Sequence, residues 1–464
     1  MKKRMLIIVC LVLALVLIGL GAVAGYTAHY RNTHVFYGEA VYEKDAASID
    51  LRGTGADIAY YEGLKEAMPG TEILWELPFQ GGFLPLDTTS LTLTSLSAED
   101  VQLLDYLTQL QTVDATGCTD YEQILALQAR RPECQVTYQV TLGGKTYPQD
   151  VQELTFADGD VRELMEQFVW LPELKTVTFE ALTMEAEDLM QLVQMYPEIA
   201  FSWEVEVLGQ TYPWDVTALD FSNTPLDGIE ELEAALAYLP MLETVEVHNC
   251  GVDYEILGQW RERQKDAYKV VWTVHLSWGI DVRTDETTFM PVMMNDGCGK
   301  VWDYSMVDLK YCNEMICVDV GHMPITHCDW AAYMPNLKYL IVADTGITSI
   351  EGLRGLQHLI YLEAFTTPLT DYSPLLECPN IKDLNIVNSG ADPEVIAQLT
   401  SLERLWWGGF YRVSLTEEEK QMVREALPNT DCQLNVLNPT TLGWRKGKLY
   451  YEMRDVLGMP YFGQ

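Results

Sequence analysis

The chain has 464 residues, 48% of them apolar and 21% charged, enough to bury a substantial core and to exclude wholesale disorder. Sixty-eight acidic residues stand against 30 Lys and Arg, for a formal net charge of −38. Every acidic residue follows Arg31, so the body repels phosphate backbones, which argues against nucleic acid as a partner.

Lys2-Lys3-Arg4 precedes an uncharged apolar run from Met5 to about Ala24. Roughly twenty residues at about 1.5 Å each span a hydrocarbon core of about 30 Å. Residues 1–31 are therefore expected to be a membrane anchor, or a signal peptide if Ala22-Val23-Ala24 serves as a small-x-small cleavage site. Either way the basic flank stays in the cytoplasm and the body lies outside it, single-pass in the cell membrane or secreted after cleavage. Val9 stands where a lipoprotein signal needs a small residue before Cys10.

Nine cysteines lie beyond this run, with no compact disulfide framework in their spacing. Cys312, Cys317, His322, His327 and Cys328 form the sharpest cluster, of residue types that bind zinc. A metal-dependent module around Cys312–Cys328 is thus one alternative, and a Cys312 to Cys328 disulfide another. The spacing is not that of a tight zinc knuckle, so small buried fillers are the preferred reading, with no metal and no cofactor expected.

The first strong elements are repeats. From residue 45 onward, candidate strands fall at Ile49–Leu51, Leu91–Leu93, Val113–Ala115, Leu154–Phe156, Val177–Phe179, Leu219–Phe221, Val245–Val247 and Thr287–Phe289. Long and short units alternate. Short units carry helix-like stretches such as Val161–Leu171 and Ile229–Leu239, each ending at a Leu-Pro. Long units add an alternating apolar segment around a Gly turn, Tyr138 to Pro148 and Trp203 to Pro213, with looser copies at Trp75–Leu86 and Trp272–Val282. These read as β-hairpins, which brace the convex side or supply a second binding edge.

After a junction at 290–312, a shorter period takes over. Met315-Ile-Cys-Val318-Asp-Val320 and Leu337-Lys-Tyr-Leu340-Ile-Val342 share a frame with Leu359-Ile-Tyr-Leu362-Glu-Ala364. Ile381-Lys-Asp-Leu384-Asn-Ile386 and Leu402-Glu-Arg-Leu405-Trp-Trp407 continue it. The starts at 315, 337, 359, 381 and 402 are 22 or 21 residues apart. Each unit is one short strand plus a return, unable to bury its apolar face unless neighbours stack. Beyond Trp407, Thr416-Glu-Glu-Glu419 opens a capped helix to about Leu427, Cys432–Leu437 reads as a strand and Tyr450–Leu457 as an amphipathic helix. This tail, 411–464, is the expected C-terminal cap.

The L-x-x-L-x-L frame, followed by an apolar residue such as Ile325, Ile347 or Leu369, resembles the leucine-rich repeat family over nearly all of residues 45–410. The 22-residue units are similar to those of bacterial internalin-type surface proteins. The anchor, the hairpins and a tail running from Gly443-Trp444-Arg445 to Gly458-Met459-Pro460-Tyr461 resemble exported repeat proteins of anaerobic Gram-positive bacteria. The resemblance implies an α/β solenoid with parallel strands on its concave side and hairpin-bearing long repeats in the N-terminal two thirds. The regions would be 32–289 for the mixed repeats and 313–410 for the short ones. It also implies ligand binding on the concave face, most often of a protein. Met323, Thr345, Thr367 and Ser389 occupy the usual Asn of the turn, and no Leu-Pro-x-Thr-Gly sorting motif is present.

No metalloprotease, nucleophile-elbow, P-loop or dinucleotide motif appears, so the chain is read as a binding protein and not an enzyme. The outward positions of the short repeats suggest where it binds. Tyr339, Tyr361, Phe365 and Trp406 are expected as exposed apolar anchors, with Glu363, Asp383, Asn385 and Arg404 fixing orientation; the alternatives are that the C-terminal tail folds over this patch or that these are ordinary exposed strand aromatics. The ligand would be a protein, peptide or glycan at the cell surface. A structural envelope spacer without a specific ligand is the competing expectation.

Overall fold

The computed structural model describes residues 2–157, 164–277, 279–291, 300–409, 414–441 and 443–460, in two compact units, 1–204 and 205–464. The first unit opens with one helix, Lys2–Thr33, with no acidic residue in its first turn and Arg31 in its last. Its stretch from Leu11 to Thr33 has a mean hydropathy of 2.2 and buries nothing within the protein, which makes it long and apolar enough to cross a membrane. A hairpin follows, His34–Tyr37 against Ala40–Glu43.

The remainder of the first unit consists of short parallel ladders, with helices such as Ile58–Ala67 and Tyr121–Arg130 between their strands. Ser48–Asp50 pairs with Glu72–Leu74, and Ser90–Thr92 with Thr112–Asp114 and then Gln135–Thr137. Glu153–Phe156 pairs with Thr176–Phe179, which pairs with the strand beginning at Ala200. Three of these strands, at 72, 135 and 200, are absent from the sequence reading, as is Lys269–Val271 in the second unit. At 72, 135 and 269 the strand runs into the next hairpin through a single residue, Trp75, Tyr138 or Trp272. The two alternations therefore merge into what looks like one hairpin arm. The long unit is in fact a full repeat with a hairpin attached.

The hairpins form as expected at Glu76–Phe79 with Gly82–Pro85, Gln139–Leu142 with Lys145–Pro148, and Thr273–Ser277 with Ile280–Arg283. Paired left-handed residues, Gln80-Gly81 and Gly143-Gly144, make the tight turns that match strand twist. Each exit closes alike: Thr88, Val151 and Glu286 donate N–H to the carbonyls of Pro85, Pro148 and Arg283, each at 3.1 Å. Of the helix expected at Val161–Leu171, residues 161–163 lie outside the described residues, and a 3₁₀ turn forms at Phe168–Trp170.

In the second unit, Ala218–Asp220, Thr244–Glu246 and Lys269–Val271 form one parallel ladder. A seven-stranded parallel sheet follows, Thr288–Phe289, Cys317–Asp319, Tyr339–Ile341, Tyr361–Glu363, Asp383–Asn385, Arg404–Trp406 and Asp431–Gln433. The longer units return through helices such as Tyr254–Gln264, whereas most of the 22-residue units have room only for 3₁₀ turns at Asp329–Tyr333, Glu351–Leu353 and Ser373–Glu377.

These turns stack closely. A Cβ on Gly352 would lie 3.0 Å from the Asp329 Cα and 3.1 Å from the Cys328 carbonyl carbon, both backbone atoms. Gly352→Ala is therefore expected to cost about 1–3 kcal/mol by overpacking, read as a lower chemical-denaturation midpoint with unchanged slope.

Candidate functional site

On the inward side of the seven-stranded sheet, Val318, Leu340, Leu362, Leu384 and Leu405 form a fully buried column. The opposite side, expected to bind a ligand unless the C-terminal tail folds over it, is covered by that tail. Residues 434–441 and 443–457 return across it: Val436, Trp444 of the turn Trp444–Lys446, and Leu449, Tyr450 and Met453 of the helix Lys448–Val456 share one buried cluster with Tyr339, Tyr361, Phe365 and Trp406.

All eight residues expected on an exposed binding patch do come together, but as the dock of this tail. Tyr361 and Asn385 are 0% exposed, Phe365 is 7% exposed, and Tyr339, Glu363, Asp383 and Trp406 fall between; Arg404 is half-buried. Trp444 packs 5.6 Å from the Tyr361 ring and 5.2 Å from Trp406, centroid to centroid. Its indole N–H donates to Glu363 Oε1 at 2.5 Å, and the Tyr361 hydroxyl donates to the same oxygen. The Arg404 guanidinium sits 4.9 Å from the Trp406 ring and 4.4 Å from that of Trp444. It donates to Asp383 at 2.9 Å and to the Trp444 carbonyl at 2.7 Å. Asn385 donates to the Pro439 carbonyl at 3.0 Å, Trp406 Nε1 to that of Thr441 at 3.3 Å, and the Tyr339 hydroxyl to Glu452 at 3.3 Å.

Burial pushes the Asp383 carboxyl up to about 6 against the pull of Arg404. It raises Glu363 too, despite the donors Tyr361 and Trp444. No property of the repeat frame reveals this covering, because it comes from a segment outside the period.

Successive strands are in register through Phe289, Val318, Leu340, Leu362, Leu384, Leu405 and Cys432. A left-handed turn residue recurs with the same step at His322, Asp344, Thr366 and Asn388. The fold is a leucine-rich repeat. Three of its turns replace the usual Asn with a hydroxyl, Met323 standing in the fourth: Thr345, Thr367 and Ser389 each donate to the carbonyl three residues back, at 2.7, 2.8 and 2.8 Å.

Among solved leucine-rich repeat structures, an internalin (InlF) of Listeria monocytogenes is 15% identical, over 84% of this chain and 92% of that one, with a TM-score of 0.26. A leucine-rich repeat protein of Leptospira interrogans is 15% identical over 73% and 92%, with a TM-score of 0.27. Internalin C2 of Listeria monocytogenes is 22% identical over 29% and 70%, with a TM-score of 0.23. No family model and no curated protein matches the chain.

Earlier in the second unit, the corresponding repeat positions and the adjoining hairpin carry polar side chains that stay at least partly exposed among the described residues. Asp220 is exposed, and Glu246, His248, Arg283 and Asp285 are partly so. Arg283, at the end of a hairpin, donates to Glu246 at 2.9 Å and to Asp285 at 3.0 Å. Its Nη1 also lies 3.0 Å from His248 Nε2, which Glu246 Oε2 approaches at 3.1 Å, while Nδ1 of the same ring faces Thr273 Oγ1 at 2.7 Å. The Arg283 guanidinium holds the Glu246 carboxyl below its usual range, and Ser222 does the same for Asp220. Sequence reading named none of these as site residues. The signal was there in the x positions of Leu219-Asp220-Phe221 and Val245-Glu246-Val247, the same frame used for the short repeats.

The five residues considered for zinc do not converge. Cys312, Cys317 and Cys328 are buried free thiols, and Cys328 Sγ donates to the Ser349 carbonyl at 3.3 Å. His322 is exposed and contacts Asp344 at 2.8 Å. Among the described residues no group of three or more His, Cys, Asp and Glu side chains could hold a metal. Of the junction at 290–312, residues 292–299, including Cys298, lie outside the described residues.

Proposed function

We propose that this chain is a membrane-anchored, extracytoplasmic interaction protein that binds a protein ligand on the polar three-stranded ladder and adjoining hairpin of its second unit, around Asp220, Glu246, His248 and Arg283. The observation that carries the reading is the contrast along the repeat. The aromatic stretch at 339–406 is roofed by the chain's own tail, while the stretch at 220–283 presents charges already fixed by ion pairs and hydrogen bonds. Groups held in place before binding lose little side-chain freedom on contact. The apolar helix Lys2–Thr33 supports a tether, with Lys2, Lys3 and Arg4 on the cytoplasmic side. The eight residues of the roofed stretch hold the cap in this reading, and meet a partner only where residues 434–457 are lifted from them.

The test is binding of the full chain, in detergent micelles, to panels of purified envelope proteins, host-surface proteins and wall polysaccharides. A Glu246→Lys/Arg283→Glu variant, checked for native thermal unfolding, runs beside it. A protein hit weakened about tenfold or more by the variant is the expected result, since truncating or reversing fixed interfacial charges costs about 2 kcal/mol or more. A hit bound equally by the variant would remove the site from this stretch, and silence across all panels would favour the spacer.

A further inference from the structure

We infer that a second site, separate from the sheet face, lies on the return side of the repeats and takes a lysine- or arginine-bearing segment of a partner protein. A cleft of about 460 Å³ opens between the helical turns Asp303–Met306 and Val307–Tyr311 and the 3₁₀ turn Asp329–Tyr333. Two tyrosine rings and a valine are left largely in solvent at this cleft: Tyr304 is 74% exposed, Tyr333 56% and Val307 58%. Trp302 stacks on Tyr304 at 6.0 Å and 8°, so the rim is a flat, ordered pair of rings. Trp330 lines the wall, and its buried indole N–H has no acceptor among the described residues.

The walls are held in place. Asp303 accepts from Thr326 N and Oγ1, both at 2.7 Å, and from His327 N at 3.2 Å, which ties the first turn to the loop before the third.

Charge decides the occupant. The titratable groups lining the cleft besides its tyrosines are Asp303, Asp329, His327 and Lys310, and Lys310 is already matched by Glu255 at 3.4 Å and by the Tyr311 ring at 4.8 Å. The electronegative faces of Tyr and Trp add to the same sign. A second copy of a chain with net charge −38 would bring acid onto acid, whereas a cationic side chain meets both rings and carboxylates. Tyr304, Tyr333 and Asp329 are exposed, so substituting them leaves the core untouched.

The experiment titrates the full chain in detergent, at about 150 mM salt to screen diffuse attraction, with a fluorescent peptide of alternating Lys and Gly. The same peptide with acetylated lysines and a linear maltooligosaccharide serve as the other probes. The Lys peptide is expected to bind, about tenfold more weakly to Tyr304→Ala/Tyr333→Ala and measurably more weakly to Asp329→Asn, with Glu246→Lys/Arg283→Glu unchanged. Each variant is checked for native thermal unfolding. Equal affinity across the cleft variants, binding of the acetylated peptide or the saccharide as tight as that of the Lys peptide, or no binding of any probe overturns the proposal.

Discussion

Trp444→Ala is expected to destabilise the second unit by about 4–6 kcal/mol and to uncover the aromatic stretch of its sheet. Removing a buried Trp costs about 3–5 kcal/mol through lost transfer energy and the cavity left behind. Here the ring contacts Tyr361, Trp406 and Arg404, and its N–H is one of two donors to the buried Glu363 carboxyl, so a further penalty for an undersatisfied acceptor follows. Urea unfolding gives the size of the effect, and an environment-sensitive dye that binds exposed apolar surface reports the uncovering. Trp444→Phe separates the two contributions, because it keeps most of the ring and loses only the donor. A loss under about 1 kcal/mol for the Ala variant, with no dye binding, would mean that residues 434–457 rest on the sheet without stabilising it.

The second large effect is Arg404→Met, expected to cost about 3–5 kcal/mol near pH 8 and much less near pH 5. Breaking a buried pair from one side leaves an uncompensated charge, here Asp383, whose side chain is 2% exposed. The sign follows from its carboxyl, which burial holds at about 6 in the folded chain against an ordinary value near 4. Between those values the folded state binds more protons than the unfolded one. This group's contribution to stability is therefore present at low pH and lost as pH rises through about 6. Without Arg404 the folded value climbs further and the loss extends upward, whereas at pH 5 the neutral acid has little charge to leave unpaired. Unfolding both proteins at the two pH values tests this. A difference that does not change with pH would show that Arg404 acts through its stacking on Trp406 and Trp444 alone.

The same arginine shows why the tail had to be seen. A Cβ on Gly447 would coincide with the Arg404 guanidinium, so the tail's backbone is fitted to a side chain 43 residues away. Nothing in Leu402-Glu-Arg-Leu405 announces that contact. The frame puts Arg404, Trp406 and their neighbours on the outward side of their repeats, but outward from one repeat means covered wherever another segment crosses it.

Local spacing determined a good deal by itself. The apolar run after Lys2-Lys3-Arg4 became a single helix, the frame starting at 315, 337, 359, 381 and 402 became in-register strands, and Thr416 with Glu419 became a reciprocal capping box. Each depends on interactions within a few residues or between adjacent copies of one pattern, and a sequence records those directly. The strands at 72, 135, 200 and 269 were hidden because two alternating stretches met without a turn between them. Tertiary structure alone decided that the seven-stranded sheet is roofed by Trp444 and Tyr450 while the ladder and hairpin carrying Glu246 and Arg283 stay partly exposed. It also left the rings of Tyr304 and Tyr333 exposed at a cleft between helical turns. Exposure is a property of what packs against a side chain from a distance along the chain, and periodicity carries no record of that.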